Sequence, residues 1–162
     1  MSYTPMSDLG QQGLFDITRL LLQQPDLAAL SETLTRLVQQ SALADEAAII
    51  LWNAGNHRAA RYACDEAGHP VSYEDETVLA HGPVRRLLSR PDALHCDHET
   101  FADTWPQLIR SGLYRPFGYY SLLPLAADGR IFGGCEFLRR DNRPWSEKEF
   151  QRLHTFAQIV AV

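Results

Sequence analysis

The sequence contains little cysteine and no long apolar run, and both shortages narrow the class of protein. Its three cysteines, Cys64, Cys96 and Cys135, are an odd number at wide spacings, which does not fit the disulfide framework of a small secreted domain. No apolar run approaches the roughly 20 residues that span a membrane, and the N-terminus lacks the basic segment and apolar stretch of a signal peptide. We therefore predict a cytoplasmic chain with free thiols and no membrane partner.

Positive charge is scarce as well. The chain has 15 Lys and Arg residues against 20 Asp and Glu, a net charge of −5, and the basic residues are scattered. Because nucleic acid binding needs clustered cations to neutralise phosphates, we expect no direct contact with nucleic acid. The loops G-x-x-x-x-G-K-[ST] and G-x-G-x-x-G are also absent, which excludes a P-loop and a Rossmann nucleotide site.

What remains is the composition of an ordinary globular domain. With 162 residues, 45% of them hydrophobic and 22% charged, the chain is long enough to bury one core, so we predict a single domain over residues 1–162. Apolar spacing of 3.6 residues predicts helices at 8–24 and 26–42. Apolar runs bounded by turn residues predict the main strands, at 46–52, 58–64, 119–126 and 130–139.

The other predicted elements are shorter, apart from the last helix. They are a loop at 65–75 with a short strand at 71–73, a helix at 83–89, an edge strand at 94–96, a short helix at 97–105 and a loop at 106–118. Ser146 and Glu149 have the spacing of a capping box, which predicts the start of a C-terminal helix. The sum is an α+β fold whose central antiparallel sheet has five or six strands, with the N- and C-terminal helices packed on one face.

The C-terminal half of the chain resembles a GAF sensory domain. The resemblance rests on Leu123-Pro124-Leu125, on Ile131-Phe132-Gly133-Gly134 after a turn, and on Pro144-Trp145-Ser146 opening a helix. The run HGPVRRLL, residues 81–88, resembles the helix that GAF domains carry over their ligand pocket, so the likeness covers about residues 26–162. The cyclic-nucleotide signature with Asn-Lys-x-Phe is missing, which argues against cyclic GMP as ligand.

Segments 1–30, 73–96 and 143–160 further resemble the N-terminal regions of sigma-54-dependent bacterial activators that respond to formate. This likeness implies a non-enzymatic regulatory domain, without a cofactor, that senses formate and relays it to an ATPase module. The family's second GAF, AAA+ ATPase and helix-turn-helix regions are not present in these 162 residues. Two alternatives stay open: a dimerisation module with no ligand of its own, and a thiol-based methionine sulfoxide reductase using the three cysteines.

A small anionic effector such as formate needs N–H donors and a guanidinium fork. The start of the helix at 83–89 offers the amides of Val84 and Arg85, the guanidinium groups of Arg85 and Arg86, and His81 one turn earlier. Alternatively, both arginines are solvated charges on a helix face. Arg115 and Tyr119 are second candidates because GAF domains often close their pocket in this region, although for each residue taken singly a surface arginine and a core tyrosine are the favoured interpretation.

Two further expectations concern metals and assembly. His95, Cys96 and His98 lie close in sequence, but neighbouring strand residues point to opposite faces and no fourth ligand accompanies them, so we predict no metal site. Apolar residues exceed one narrow stripe on the helices at 8–24 and 145–162, which predicts a homo-oligomer formed through the terminal helices.

Overall fold

The computed structural model describes residues 26–53 and 58–161. Its helices are α1 (Leu27–Gln40), α2 (Thr77–Ala80), α3 (Pro83–Ser89), α4 (His98–Thr104), α5 (Pro106–Ser111) and α6 (Glu147–Val160). Its strands are β1 (Glu46–Asn53), β2 (Arg58–Cys64), β3 (Pro70–Glu76), β4 (Leu94–Asp97), β5 (Tyr119–Ala127) and β6 (Arg130–Arg139). In these residues the strands form one antiparallel sheet in the order β3-β2-β1-β6-β5-β4, so the α+β prediction is confirmed.

The first face of the sheet carries the two long helices, as predicted. Asp26 caps α1 by accepting a 2.7 Å hydrogen bond from the Ala29 amide. Leu34 of α1 and Phe156 of α6 are buried in one cluster with Ile49 and Phe137 of the central strands. The two long helices thus cover the first face, and shorter elements cover the opposite one.

The second face is covered by α2 to α5 and by the segment 112–118. Residues that alternate with those of the first face point this way, so Ile50 joins Val84 of α3, Phe101 of α4 and Leu108 of α5 in a second buried cluster. The sheet is therefore enclosed on both sides, and a charged residue on either face of its central strands loses water.

Gly133 and Gly134 permit close packing at the middle of the sheet. A Cβ atom on Gly133 would lie 2.1 Å from the carbonyl oxygen of Ile50, and one on Gly134 would lie 2.5 Å from Leu122 Cδ1. Close packing of the backbone and of Leu122 therefore explains why this pair of residues is glycine.

The capping box at the start of α6 is also confirmed. Ser146 Oγ accepts a 3.1 Å hydrogen bond from the Glu149 amide, and Glu149 Oε1 accepts one of 2.9 Å from the Ser146 amide. Arg139, the last residue of β6, donates to Glu149 Oε2 at 2.8 Å and to the Leu43 carbonyl at 3.0 Å. The end of β6 is thus bonded to the first turn of α6.

The predictions of a loop at 65–75 and of a loop at 106–118 were wrong in part. The short strand expected at 71–73 extends over Pro70–Glu76 because β2 supplies hydrogen-bond partners along that length. The loop expected at 106–118 begins with α5, which has Pro106 at its first position and the left-handed Gly112 after its end, a combination typical of short helices. The predicted helix at 8–24 lies outside the described residues.

The described helices include none with the length and apolar character needed to cross a bilayer.

Candidate functional site

A buried group of charged and phenolic side chains lies on the second face of the sheet. We call it the inner cluster, and its members are Glu46, Arg61, Tyr114, Tyr120 and Glu136. Arg61 Nε donates to Glu136 Oε1 at 2.7 Å, and both side chains are almost completely buried. A pair this deeply buried is expensive to desolvate, so its energetics depend on how its remaining polar atoms are satisfied.

Strand register brings the inner cluster together. Arg61 of β2 pairs with Ile50, and Glu136 of β6 pairs with Ala48, two positions earlier on β1. Glu46 precedes Ala48 by two further positions on the same strand. Because paired residues and alternate residues of a strand share a face, the three charges form one patch on the second face.

Two tyrosines complete the surroundings of Glu136. The hydroxyl of Tyr114 donates to Glu136 Oε2 at 2.5 Å, and the hydroxyl of Tyr120 donates to the same oxygen. The Arg61 guanidinium lies 4.1 Å from the centre of the Tyr114 ring and donates to the Leu113 carbonyl at 2.9 Å. Burial raises the pKa of both phenols well above the ordinary value, so they act as hydrogen-bond donors at neutral pH.

Glu46 is the least satisfied member of the cluster. Its carboxylate lies 3.7 Å from Arg61 Nη2 and 3.5 Å from Arg115 Nη2, contacts that are long for hydrogen bonds. Among the described residues, three buried atoms here have no hydrogen-bond partner: Glu46 Oε2, Arg61 Nη2 and Arg115 Nε. Burial raises the pKa of Glu46 against the opposing attraction of Arg61 and Arg115.

Arg115 lines both a small space beside Glu46 and a larger external cleft. The space beside Glu46 and Arg115 measures about 10 Å³, which is room for about one water molecule. On the outside, a cleft of about 460 Å³ is lined by Glu66, Arg115, Pro116, Phe117 and Arg140. The space beside Glu46 is too small for a ligand of several atoms, so such a ligand would need neighbouring side chains such as Arg115 to move.

The residues predicted at the start of α3 are neighbours, but they lie at the surface. Arg85 and His81 are exposed, with 3.0 Å between Arg85 Nη1 and His81 Nδ1. Arg86 donates to the Asp92 carbonyl at 3.2 Å, and the Val84 side chain is buried in the second cluster. The α3 helix has only seven residues, so its dipole adds little for an anion in solvent.

The second candidates, Arg115 and Tyr119, lie in different parts of the structure. Arg115 borders the inner cluster on the second face. Tyr119 lies on the other face, where its ring centre is 5.7 Å from that of Trp145. Tyr120, its neighbour on β5, points into the cluster instead, because successive strand residues face opposite ways.

The cysteines are poorly suited to thiol chemistry. Cys64, Cys96 and Cys135 are free and buried. Burial raises the pKa of all three thiols, that of Cys96 to about 11, so the reactive thiolate is scarce at neutral pH. Within the described ranges, no three His, Cys, Asp or Glu side chains are grouped so as to hold a metal ion.

Sequence reasoning missed Glu46, Arg61 and Glu136. The available signal was a single charge inside an otherwise apolar strand, as in GGCEFL around Glu136. Because side chains alternate along a strand, Glu136 and the buried Cys135 point to different faces of the sheet. In a sheet covered on one face only, the face that carries Glu136 would be exposed to solvent. Only the second layer of helices makes that position an interior one.

The chain belongs to the GAF domain family, whose family model matches residues 26–162. Over its whole length it is 74% identical to the formate hydrogenlyase transcriptional activator of Salmonella typhimurium (strain SL1344). It is 70% identical to the formate hydrogenlyase transcriptional activator FhlA of Escherichia coli (strain K12), again over the whole chain. The chain spans 23% of the length of each of these relatives.

A solved structure supports the same fold assignment. The GAF domain from a phosphoenolpyruvate-protein phosphotransferase of Coxiella burnetii superposes with a TM-score of 0.63 at 13% identity, covering 91% of this chain and 88% of that one. At this identity the likeness concerns the fold alone. The close relatives are named as transcriptional activators and not as enzymes, in agreement with the prediction of a non-enzymatic domain.

Proposed function

We propose that this chain is a regulatory domain that senses formate within a transcriptional activator of formate hydrogenlyase genes. Its identity to two such activators over all 162 residues supports the role. The observation that carries the proposed site is the trio of buried atoms without hydrogen-bond partners, two of which are guanidinium nitrogens. Guanidinium groups bind carboxylates well because their N–H donors match the two carboxylate oxygens.

Formate enters from the external cleft and is bound between Arg61 Nη2 and Arg115 Nε. The space beside Glu46 admits about one water molecule, so binding requires Arg115 and the segment 112–118 to move. A ligand that fits only one of two conformations shifts the equilibrium towards that conformation, which is the physical basis of sensing. The small size of the cavity is therefore consistent with a sensor.

The displaced segment has a direct connection to α6. The Gly118 amide donates to the Arg139 carbonyl at 2.7 Å, and the Arg139 guanidinium bonds Glu149 in the first turn of α6. Gly118 also packs closely against the loop after β6, because a Cβ atom there would lie 2.2 Å from the Asp141 carbonyl oxygen. We propose that this route passes the signal to α6 and onward to an ATPase module of the longer protein.

The size of formate limits the affinity. Three heavy atoms at about 1.5 kcal/mol each yield at most about 4.5 kcal/mol, which corresponds to a dissociation constant no tighter than roughly 0.5 mM. The domain is therefore a millimolar sensor, suited to a metabolite that accumulates.

A residue-resolved NMR titration with sodium formate, with sodium chloride as the control salt, tests both the ligand and its site. We expect saturable millimolar shifts around Arg115, Gly118 and the first turn of α6. Arg115→Ala should abolish them, whereas Arg85→Ala should leave them unchanged. Loss in Arg85→Ala alone would move the site to the start of α3, where His81, Val84 and Arg86 are the other candidates.

A second candidate function is a dimerisation module with no ligand of its own. It is favoured by the near-complete filling of the second face, where Phe101, Tyr114 and Tyr120 occupy much of the space beneath the helices. Absence of any formate-specific shift up to about 50 mM, some hundredfold above the affinity limit, would support this function and reject formate sensing by this domain.

A further inference from the structure

Four ionisable side chains of balanced charge meet around Glu46. The two acids are Glu46 and Glu136, and the two bases are Arg61 and Arg115. Arg61 and Glu136 are directly bonded at 2.7 Å, whereas Glu46 lies 3.7 Å from Arg61 and 3.5 Å from Arg115. With every group ionised the set is neutral, which suits a site from which water is largely excluded.

The charged and titratable groups that face Glu46 come from each element around it. They are Arg61 and Cys64 of β2, Arg115 of the segment 112–118, Glu136 and Arg139 of β6, Arg140 of the following loop, and Asp45, the residue before β1. The Asp45 carboxylate accepts a 2.8 Å hydrogen bond from the Arg140 amide and is partly engaged in that way. The thiol of Cys64 is buried and has a raised pKa, so it brings no charge at neutral pH.

A bound formate would unbalance this set. It adds one negative charge to two acids and two bases, and an uncompensated buried charge costs several kcal/mol. Uptake of one proton restores neutrality. Glu136 has donors on both oxygens, from Arg61, Tyr114 and Tyr120, whereas Glu46 Oε2 has no hydrogen-bond partner among the described residues and can carry a proton.

We propose, on the basis of the formate-sensing function above, that formate binds together with one proton from solvent, which is taken up by Glu46. Protonated Glu46 then donates a hydrogen bond to one formate oxygen, while Arg61 Nη2 and Arg115 Nε donate to the anion. Formate arrives as the anion, the proton arrives from solvent, and no bond of formate is made or broken. Burial already raises the pKa of Glu46, so the proton is acquired from a pH closer to neutrality than for a solvated carboxyl group.

This coupling makes formate affinity depend on pH. Where free Glu46 is ionised, the dissociation constant should rise by about tenfold for each unit of pH, and it should level off below the pKa of free Glu46. The domain would therefore respond to formate and acidity jointly. A site in which fixed cations alone bind the anion would show constant affinity across the same range.

Calorimetric titration of the wild-type chain with sodium formate, between about pH 5.5 and pH 8, tests the coupling. Repeating each titration in two buffers of different ionisation enthalpy counts the protons taken up. We expect close to one proton per formate at the upper pH, and an affinity that weakens towards it. Glu46→Gln, which resembles the protonated carboxyl group, should bind without proton uptake and with an affinity that no longer varies with pH.

Glu99→Gln is the matched control, because Glu99 is an exposed residue of α4, and it should retain the proton uptake of the wild type. Formate binding at constant affinity without proton uptake would overturn the coupling and leave formate sensing intact. Proton uptake that persists in a folded Glu46→Gln variant would also overturn it, since another group would then take the proton. Absence of saturable binding at every pH would overturn both proposals.

Discussion

At the scale of single residues, Glu136 shows how a charge is retained in the interior. Its two oxygens accept hydrogen bonds from Arg61, Tyr114 and Tyr120, so the carboxylate exchanges water for three protein donors. Such an arrangement is a weak source of net stability while intact, because desolvation offsets the attraction. Breaking it is costly, since the partner charge is left buried without compensation.

Glu136→Ala should therefore destabilise the domain strongly. Removal of the carboxylate takes away the counter-charge to which Arg61 is hydrogen-bonded and leaves it with Glu46 at 3.7 Å, and the expected loss is about 3–5 kcal/mol. For a chain of this length that corresponds to a fall in melting temperature of roughly 10 °C. Thermal melting followed by circular dichroism measures it, with the exposed Asp103→Asn as a control that should change little. A loss below about 1 kcal/mol would mean that Glu46 compensates the Arg61 charge when Glu136 is absent.

Gly133 and Gly134 allow a second test at this scale, because their neighbours differ in kind. A Cβ atom on Gly133 would meet the Ile50 carbonyl oxygen of the adjacent strand, which cannot move without disrupting β1. On Gly134 it would meet Leu122 Cδ1, the end of a flexible side chain. Gly133→Ala should cost well over about 3 kcal/mol and Gly134→Ala less, as measured by urea unfolding. Equal losses would contradict this assignment of the steric limits.

At the scale of elements, α6 has the most completely specified start. Ser146 and Glu149 bond each other's backbone amides, and Arg139 ties Glu149 to the end of β6. Burial alone would raise the pKa of Glu149, but the Ser146 amide and Arg139 outweigh burial and lower it. This contribution to stability is present above the ordinary pKa of the carboxyl group and is lost as pH falls through the lowered pKa.

Ser146→Ala should remove the N-cap and cost about 1 kcal/mol. Ser146→Asp is the matched comparison, because its carboxylate can accept the same hydrogen bond from the Glu149 amide. Chemical denaturation of the three proteins should therefore rank Ser146→Ala lowest, with Ser146→Asp close to wild type. If both variants lost the same amount, the hydroxyl would contribute through something other than capping.

At the scale of the whole molecule, the sequence predicts assembly through terminal helices. Of the two helices concerned, 8–24 lies outside the described residues. The other, α6, keeps Phe150 and Val160 only partly buried against the first core cluster. Partly covered apolar side chains at both ends of one helix are consistent with a second contact.

Sedimentation velocity over a concentration series up to tens of micromolar should therefore show a dimer. Val160→Glu should shift the population towards monomer, because an introduced carboxylate would be desolvated in a helical interface. Lys148→Glu, an exposed change on the same helix, provides the control. A wild-type chain that stays monomeric throughout the series would contradict the predicted interface.

The sequence by itself determined the elements with strong local signals. The capping box of α6, the helix at Leu27–Gln40 and the strands at Arg58–Cys64 and Arg130–Arg139 follow from patterns within a few residues. The motifs that it shares with GAF domains were also sufficient to predict the GAF fold. These features are local because capping, helical periodicity and strand alternation are each satisfied within one segment.

Tertiary structure alone decided where the polar interior lies. Glu46, Arg61 and Glu136 come from three different strands, and they meet only because β1 pairs with β2 on one side and with β6 on the other. Residues far apart in sequence carry no local sign of such a meeting. The helices on the second face then exclude water, and in this low-dielectric interior each unpaired polar atom is costly.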